Sequence, residues 1–350
     1  MYAAPIVGYA SQPMSEALLE VRDLAKHFPV KRGFLHQRPA GSVTAVDGVS
    51  FAVHAGETFA IVGESGCGKT TLANLILGLL APTRGEILLR GRSISQLSPL
   101  EFMAYRRSVA AVFQDPYGAL NPRMRVGHIV AEPLEIHRYE RRSRQQRVRQ
   151  VLQAVGLLEG SERRFPHEFS GGQKQRIGIA RALALQPQLI VLDEPVSSLD
   201  VSIRSQILNL LKDLQYDLGI SYLLISHDLA TVEHMSEWIG VMYLGKLVEV
   251  GRAREVCRQP RHPYTATLVA AATPPGQTPP WDTPIIGEVP SLLDTPSGCS
   301  FHPRCPYMMP ICGQHTPSLS AIEAQRRVAC HLYPDKIHEI SHAPCTSPSP

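Results

Sequence analysis

The sequence has no apolar run long enough to cross a bilayer. Its longest nearly apolar stretch, Leu72 to Ala81, is broken by Asn74 and Gly78, and it falls well short of the roughly 18 residues that a spanning helix needs. No basic-then-apolar leader precedes Met14, so export is not expected. Nothing repeats at a period of about 20 to 50 residues, which excludes a solenoid. Charge is sparse: 19% of the 350 residues are Asp, Glu, Lys or Arg, and the formal net charge is only +4. Such a mild balance does not suggest a nucleic-acid binder with a basic face. Apolar residues make up 44% of the chain, enough for a sizeable core and too many for a disordered protein. The length suits one large domain plus a small one, or two modest domains. There are seven cysteines. An odd number in a chain without an export signal points to thiols or metal ligands instead of disulfides.

The organisation follows from local patterning. Residues 1–17 read as a loose tail. Leu18 to Val21 opens a first strand-like stretch, residues 29–42 read as a basic Gly- and Pro-rich loop, and Val49 to Val53 and Glu57 to Val62 read as strands. From Lys69 a helix is expected, because Leu72, Leu75, Ile76 and Leu79 recur at helical spacing. Residues 100–165 lean helical, and the Arg- and Gln-rich stretch Glu140 to Gln153 reads as a solvated helix face with Val148, Val151 and Leu152 on its other side. Leu189 to Leu192 and Ser221 to Ile225 read as buried strands, with a helix from Ile203 to Leu218 between them. This alternation predicts an α/β core with a largely parallel sheet. Seven prolines between residues 273 and 296 suggest a stiff linker or strap. Cys299, Cys305, Cys312 and Cys330 then crowd into the C-terminal part, which ends in a Pro- and Ser-rich tail.

The strongest local signal is Gly63-Glu64-Ser65-Gly66-Cys67-Gly68-Lys69-Thr70, followed by Thr71. It matches the phosphate-loop pattern G-x-x-x-x-G-K-[ST]. Its glycines let the backbone wrap a phosphate chain and present N–H groups to it. Lys69 adds a cation at the outer phosphates, Thr70 offers a hydroxyl to Mg²⁺, and the following helix aims its positive end at the same place. An apolar strand before and an amphipathic helix after are the context the motif requires. Cys67 reads as a small filler, although a helix N-terminus can lower a thiol pKa and make it reactive. A second signal is the run Leu189 to Glu194, in which an apolar strand ends in two acids. Asp193 would hold Mg²⁺ and Glu194 would take a proton from an attacking water.

A third element separates this chain from other phosphate-loop proteins. Phe169-Ser170-Gly171-Gly172-Gln173 precedes a helical run and resembles the signature motif of ATP-binding-cassette ATPases, with Phe169 where that family usually has Leu. Gln114 resembles the family's Q-loop glutamine, Ser197 to Asp200 its D-loop, and His227 its switch histidine. The likeness covers roughly residues 18–260. It implies a phosphate-loop α/β fold with a helical subdomain at about 100–165. It also implies ATP and Mg²⁺ as cofactors, with Thr70, Gln114 and Asp193 at the metal and Glu194, His227 and Gln114 in catalysis. Two cassettes would close head to tail, each ATP lying between one chain's phosphate loop and the partner's Ser170 to Gln173 segment. Phe28 is the candidate for stacking on adenine.

The C-terminal quarter narrows the resemblance. Arg261 to Thr265, the cysteine region from Cys299 to His331, and Ala45 to Val49 resemble segments of the oligopeptide and dipeptide importer ATPases, with the dipeptide branch as the nearest likeness. Nickel and some oligosaccharide importers share that group. The cysteine spacing of x5, x6 and x17 lacks the paired C-x2-C of common zinc modules. Four thiolates can hold a [4Fe–4S] cluster or a zinc ion, and the resemblance favours the cluster over zinc or unmetallated thiols. His302, His315 and His331 read as turn residues, and Cys257 and Cys345 fall outside the set. The expected boundaries are a cassette over 18–260, an irregular Cys-rich extension over 261–335, and a tail over 336–350. The resemblance implies a peripheral ATPase on the cytoplasmic face of the plasma membrane. It would work with a second cassette chain or another copy of itself, two transmembrane permease subunits, an extracytoplasmic peptide-binding protein, and no nucleic acid. A soluble cassette ATPase acting on ribosomes or DNA, and a metal-dependent redox sensor, are the rival readings.

Overall fold

The computed structural model describes residues 17–32, 38–115, 118–272, 290–293 and 295–333. The N-terminal tail, most of the proline-rich strap, the C-terminal tail and Cys345 lie outside these residues.

The central sheet has eight strands, and its middle is parallel. In chain order its members are β3 (Thr58–Val62), β6 (Val109–Val112), β7 (Leu189–Asp193), β8 (Ser221–Ser226), β9 (Trp238–Tyr243), β10 (Lys246–Arg252), β11 (Ser320–Glu323) and β12 (Arg326–Val328). In space they run β11-β12-β10-β9-β3-β8-β7-β6. Strands β9, β3, β8, β7 and β6 are mutually parallel, whereas β10, β12 and β11 add on in antiparallel fashion. Both faces of the parallel part are covered, so its strands are apolar throughout instead of alternating with polar residues. The period of two decides which core each side chain enters. Ala60, Val62, Ile190, Leu192, Tyr222 and Leu224 pack into one apolar cluster, and Phe59, Ile61, Leu189, Val191, Leu223 and Ile225 into the other.

A second sheet of four antiparallel strands, ordered β2-β1-β4-β5, covers the second cluster. It is built from β1 (Ala17–Arg32), β2 (Arg38–His54), β4 (Arg84–Leu89) and β5 (Arg92–Ser93). Residues 29–42 were expected to form a loop. Instead β1 and β2 run on as one long hairpin whose pairing continues to Lys31↔Pro39 and Arg32↔Arg38. Cross-strand pairing here overrides the local Gly and Pro content.

The first helix, α1 (Lys69–Ile76), is shorter than its apolar spacing suggests. Gly78 turns the chain at φ +65, where a Cβ would strike Phe102. Leu79 is left largely exposed. Within the stretch expected to be helical, α2 (Pro99–Ser108) opens on a capping box between Ser98 and Glu101. β6 then follows as a strand, and its run Val-Ala-Ala-Val is too short for periodicity to separate strand from helix. Next come α3 (Val126–Ile136) and α4 (Arg141–Ala154). As expected, α4 buries Val148, Val151 and Leu152 and exposes most of its arginines and glutamines. Both pack on α5 (Gly171–Leu183) to form a helical layer. The remaining helices are α6 (Val201–Leu218), α7 (Leu229–Met235), α8 (Ala253–Arg258) and α9 (Pro263–Ala272). None of the helices among the described residues is long and apolar enough to cross a membrane.

The C-terminal quarter, expected as an irregular extension, is tied into the cassette. Its strand β12 pairs with β10 and extends the central sheet. The join is held by a buried ion pair: Arg326 Nη2 lies 2.6 Å from Glu249 Oε1, with side chains 3% and 0% exposed. Glu249 also accepts the backbone N–H groups of Arg261 at 3.0 Å and His262 at 2.9 Å. Removing one partner of such a pair strands a charge away from water. Arg326→Ala should therefore cost about 3–5 kcal/mol of folding stability, read as a lower denaturant midpoint, whereas a surface Arg such as Arg163 should shift it little.

Candidate functional site

Four neighbouring parallel strands end on one edge of the sheet, and each delivers part of one cleft. The register aligns Val112 with Leu192, Asp193 with Ile225, and Val62 with Ser226, so the ends lie level. β3 leads into the phosphate loop, β6 into Gln114, β7 into Asp193 and Glu194, and β8 into His227. Ligands bind at such carboxyl edges in open α/β sheets. The cleft holds about 570 Å³ and is lined by Ala45, Ser65, Gly66, Gly68, Lys69, Thr70, Thr71, Gln114, Glu194, His227 and Leu292.

The loop's glycines are sterically required at two positions. A Cβ on Gly63 would lie 2.2 Å from the Met242 carbonyl oxygen, and one on Gly68, at φ +111, would lie 2.1 Å from that of Ala45. The loop is also tied from behind, since Gly245 N–H donates to the Cys67 carbonyl at 2.9 Å. Lys69 is buried. Its Nζ donates to the carbonyls of Gly63 at 2.7 Å and Glu64 at 2.9 Å, which holds the ammonium over the loop.

Opposite the loop, Glu194 is the hub. Gln114 Nε2 donates to its Oε2 at 2.8 Å, and His227 Nδ1 lies 3.0 Å from its Oε1. The Glu194 backbone sits in the left-handed region at φ +46, a conformation that costs energy outside glycine and clusters at functional sites. It is pinned there by its N–H to the Ile225 carbonyl at 2.9 Å and by the Ser197 hydroxyl, which donates to the Glu194 carbonyl at 3.1 Å. Burial, reinforced by the Glu194 charge, pushes the Asp193 carboxyl above its usual range, while Lys69 opposes the shift. A divalent cation relieves that conflict. Mg²⁺ is commonly held by one or two protein groups plus substrate phosphates, so the donors Thr70, Gln114 and Asp193 fit it chemically.

Ser170 to Gln173 do not line this cleft. Ser170 caps α5: its hydroxyl accepts from Gln173 N–H at 3.3 Å, and Gln173 Oε1 accepts from Ser170 N–H at 3.0 Å. Gly172 lies against Ile203, whose Cγ2 would be 2.5 Å from an added Cβ. Asp200 is exposed at the start of α6 and makes no side-chain cap. Phe28 is half-buried outside both apolar clusters, with Lys26 Nζ 5.3 Å from its ring centroid. It is not a lining residue of the cleft. Leu292, which the motifs do not flag, is one.

The four C-terminal cysteines are brought together. Cys299, Cys305, Cys312 and Cys330 line one small, largely enclosed cavity with His262, Phe301 and His302. Burial raises the thiol pKa of Cys299 and Cys305 and pushes that of Cys330 up to about 11. Yet no three His, Cys, Asp or Glu among the described residues are placed to hold a metal ion. The four cysteines thus share one cavity, and the described residues show no ready-made metal site there. His302 turns away from a ligand role, its Nδ1 lying 2.9 Å from the Cys299 carbonyl. His331 Nε2 likewise meets the His315 carbonyl at 2.8 Å.

Comparison with known proteins accords with this geometry. Residues 46–197 match the ABC transporter family, and residues 248–312 match the oligopeptide/dipeptide transporter C-terminal region. The chain is 47% identical to the oligopeptide transport ATP-binding protein AppF of Bacillus subtilis (strain 168), over 91% of this chain and 98% of the relative. The chain belongs to the ABC transporter ATP-binding family. It is also 46% identical to the oligopeptide transport ATP-binding protein OppF of Escherichia coli (strain K12), covering 87% and 93% of the two chains. A probable peptide ABC transporter ATP-binding protein of Sinorhizobium fredii is 49% identical, with 91% of each chain covered. Among solved structures, cbiO1 of Clostridium perfringens, part of a cbiONQ transporter complex, superposes with a TM-score of 0.61 at 29% identity, covering 70% of this chain and 92% of that one. A dimeric ATP-binding cassette in a post-hydrolysis state with ADP and Pi gives 0.58 at 29% identity, covering 67% and 99%. The protein is an ATPase of this family.

Cys67, in the phosphate loop, is a buried filler. It is 2% exposed, and burial raises its thiol pKa despite the nearby Lys69 ammonium. This agrees with the reading of Cys67 as a small filler, and burial opposes the activation that a helix terminus could give. At pH 8, where an exposed cysteine is readily alkylated, Cys67 should stay unmodified in the folded protein by peptide mass spectrometry and react only after denaturation.

Proposed function

We propose that this chain is the ATP-hydrolysing subunit of an importer for dipeptides or oligopeptides, with nickel or oligosaccharide cargo as the alternative within the same group. The observation that carries the reading is the joint match of cassette and peptide-transporter C-terminal region, shared along nine-tenths of the chain with peptide-named relatives. The chain works peripherally at the cytoplasmic face of the plasma membrane. It pairs with a second cassette and two permease subunits, and an extracytoplasmic binding protein supplies the peptide. An open groove of about 380 Å³ along α3 and α4, lined by Arg125, His128, Glu135 and Arg144 among others, is the candidate seat for the permeases' cytoplasmic helices.

The division of labour follows the geometry. Lys69 and the loop N–H groups bind the phosphates. Mg²⁺, when bound at Thr70, Gln114 and Asp193, neutralises phosphate charge. Glu194, held between Gln114 and His227, accepts the proton of the attacking water. Ser170 to Gln173 stand outside their own chain's cleft and complete that of the partner cassette, the capped end of α5 facing the outer phosphate. Phe28 remains the candidate for adenine and Asp200 for the partner contact. Glu194→Gln should keep ATP binding and accumulate closed dimers, while turnover falls by about two or more decades. Size-exclusion chromatography with ATP and phosphate-release assays check this, and unchanged turnover would remove Glu194 from the role.

We further infer a [4Fe–4S] cluster on Cys299, Cys305, Cys312 and Cys330. Thiolates on a cluster bind four different irons, so they must stand farther apart than ligands on one ion. What supports the reading is that all four cysteines line one small, largely enclosed cavity, together with the likeness that favours the cluster over zinc. Protein purified without oxygen should carry iron and acid-labile sulfide in equal amounts, and Cys305→Ser should lose most of both. Zinc in their place would overturn the cluster.

A further inference from the structure

The C-terminal quarter grips the phosphate loop at one residue, Glu64, the second residue of the loop motif. Arg304 donates to the Glu64 carboxylate through both terminal nitrogens, at 2.8 Å and 3.0 Å. The Arg304 side chain is 4% exposed and that of Glu64 20%, so the pair is largely shielded from water. Arg304 Nη1 also reaches the Tyr243 hydroxyl at 3.4 Å. Tyr264, fully buried, accepts the Glu64 backbone N–H on its hydroxyl oxygen at 2.8 Å. The Tyr264, Tyr243 and Phe301 rings pack on one another, with centroids 4.6 to 5.4 Å apart, and stiffen the support. The third handle on Glu64 is its carbonyl oxygen, which accepts from Lys69 Nζ at 2.9 Å.

Glu64 is thus held at its N–H, its carboxylate and its carbonyl, and the carbonyl is one of the two that seat the phosphate-binding ammonium. Bidentate guanidinium–carboxylate pairs fix geometry as well as adding energy. Sequence motifs leave this position unrestricted, and nothing in the loop itself needs an acid there.

We propose that Arg304, assisted by Tyr264, is a positioning residue for ATP: it sets the phosphate loop and Lys69 from the C-terminal region, about 240 residues downstream in the chain. The contact reaches the binding half of the cleft only. Gln114, Glu194 and His227 arrive on other strands and do not touch it. Loosening it therefore weakens ATP binding and spares the chemistry at saturation.

The test uses the full-length chain for ATP affinity and the assembled importer for turnover. Arg304→Gln should raise the ATP dissociation constant and KM roughly tenfold, the scale of a lost charged hydrogen-bond pair, with kcat changed less than about twofold. Arg304→Lys, which keeps the charge but loses the fork, should recover part of the affinity. Adding Arg304→Gln to Glu64→Gln should weaken binding little further, because the two share one interaction. A lower melting temperature with wild-type ATP affinity in Arg304→Gln marks a merely structural brace and overturns the proposal, as do additive effects in the double variant. Should Arg304→Gln not fold, Tyr264→Phe, which removes a single hydroxyl, decides: a several-fold loss of affinity supports the proposal, and wild-type affinity overturns it.

Discussion

Everything at the site depends on four parallel strands ending level. Hydrogen-bonded register between β3, β8, β7 and β6 places a cation, an acid, an amide and an imidazole around one cleft, with Asp193 next to Glu194 at the end of β7. No side chain among them could hold that arrangement alone. The sheet can do so because both its faces are buried, and sliding any strand by one residue would exchange its two sets of core side chains. The apolar cores on either side thus guarantee the chemistry at the edge.

The polar groups in the cleft are poised against one another. Lys69 is buried but satisfied by carbonyls. Glu194 sits in a strained backbone conformation and is pinned from four directions. Asp193 is disfavoured as an anion by burial and by Glu194. Together these make a site that gains from a triphosphate and its metal. The capped start of α5, with Ser170 to Gln173, is not among the residues that line this cleft. That separation makes sense of a machine driven by closing two cassettes on a nucleotide and parting them after hydrolysis.

Much of this was legible beforehand. The phosphate loop, the Asp193–Glu194 pair, Gln114, His227 and the Ser170 segment all stand out because each has a short pattern with a chemical reason. The strands β7 and β8 were legible from their apolar runs, and α4 from its periodicity. Other features were not. The hairpin of β1 and β2 overrides its Gly and Pro signals through pairing with a distant partner. β6 is too short and too rich in alanine to declare itself. For Cys67 the sequence left filler and reactive thiol both open, with filler preferred, and only burial, which here outweighs the helix terminus, decides for filler. The four cysteines do line one cavity, but no metal site is ready-made among the described residues, since spacing fixes their number and not their arrangement in space.

The residues alone determined which groups can meet phosphate, proton and metal, because those capacities belong to side chains and short backbone turns. Tertiary structure decided what those groups are attached to. It joined the last quarter of the chain to the central sheet through the buried Glu249–Arg326 pair. It also set Arg304 and Tyr264 against Glu64. Contacts between residues 77 to 240 positions apart leave no local pattern, since they arise only when packing brings distant segments to the same place.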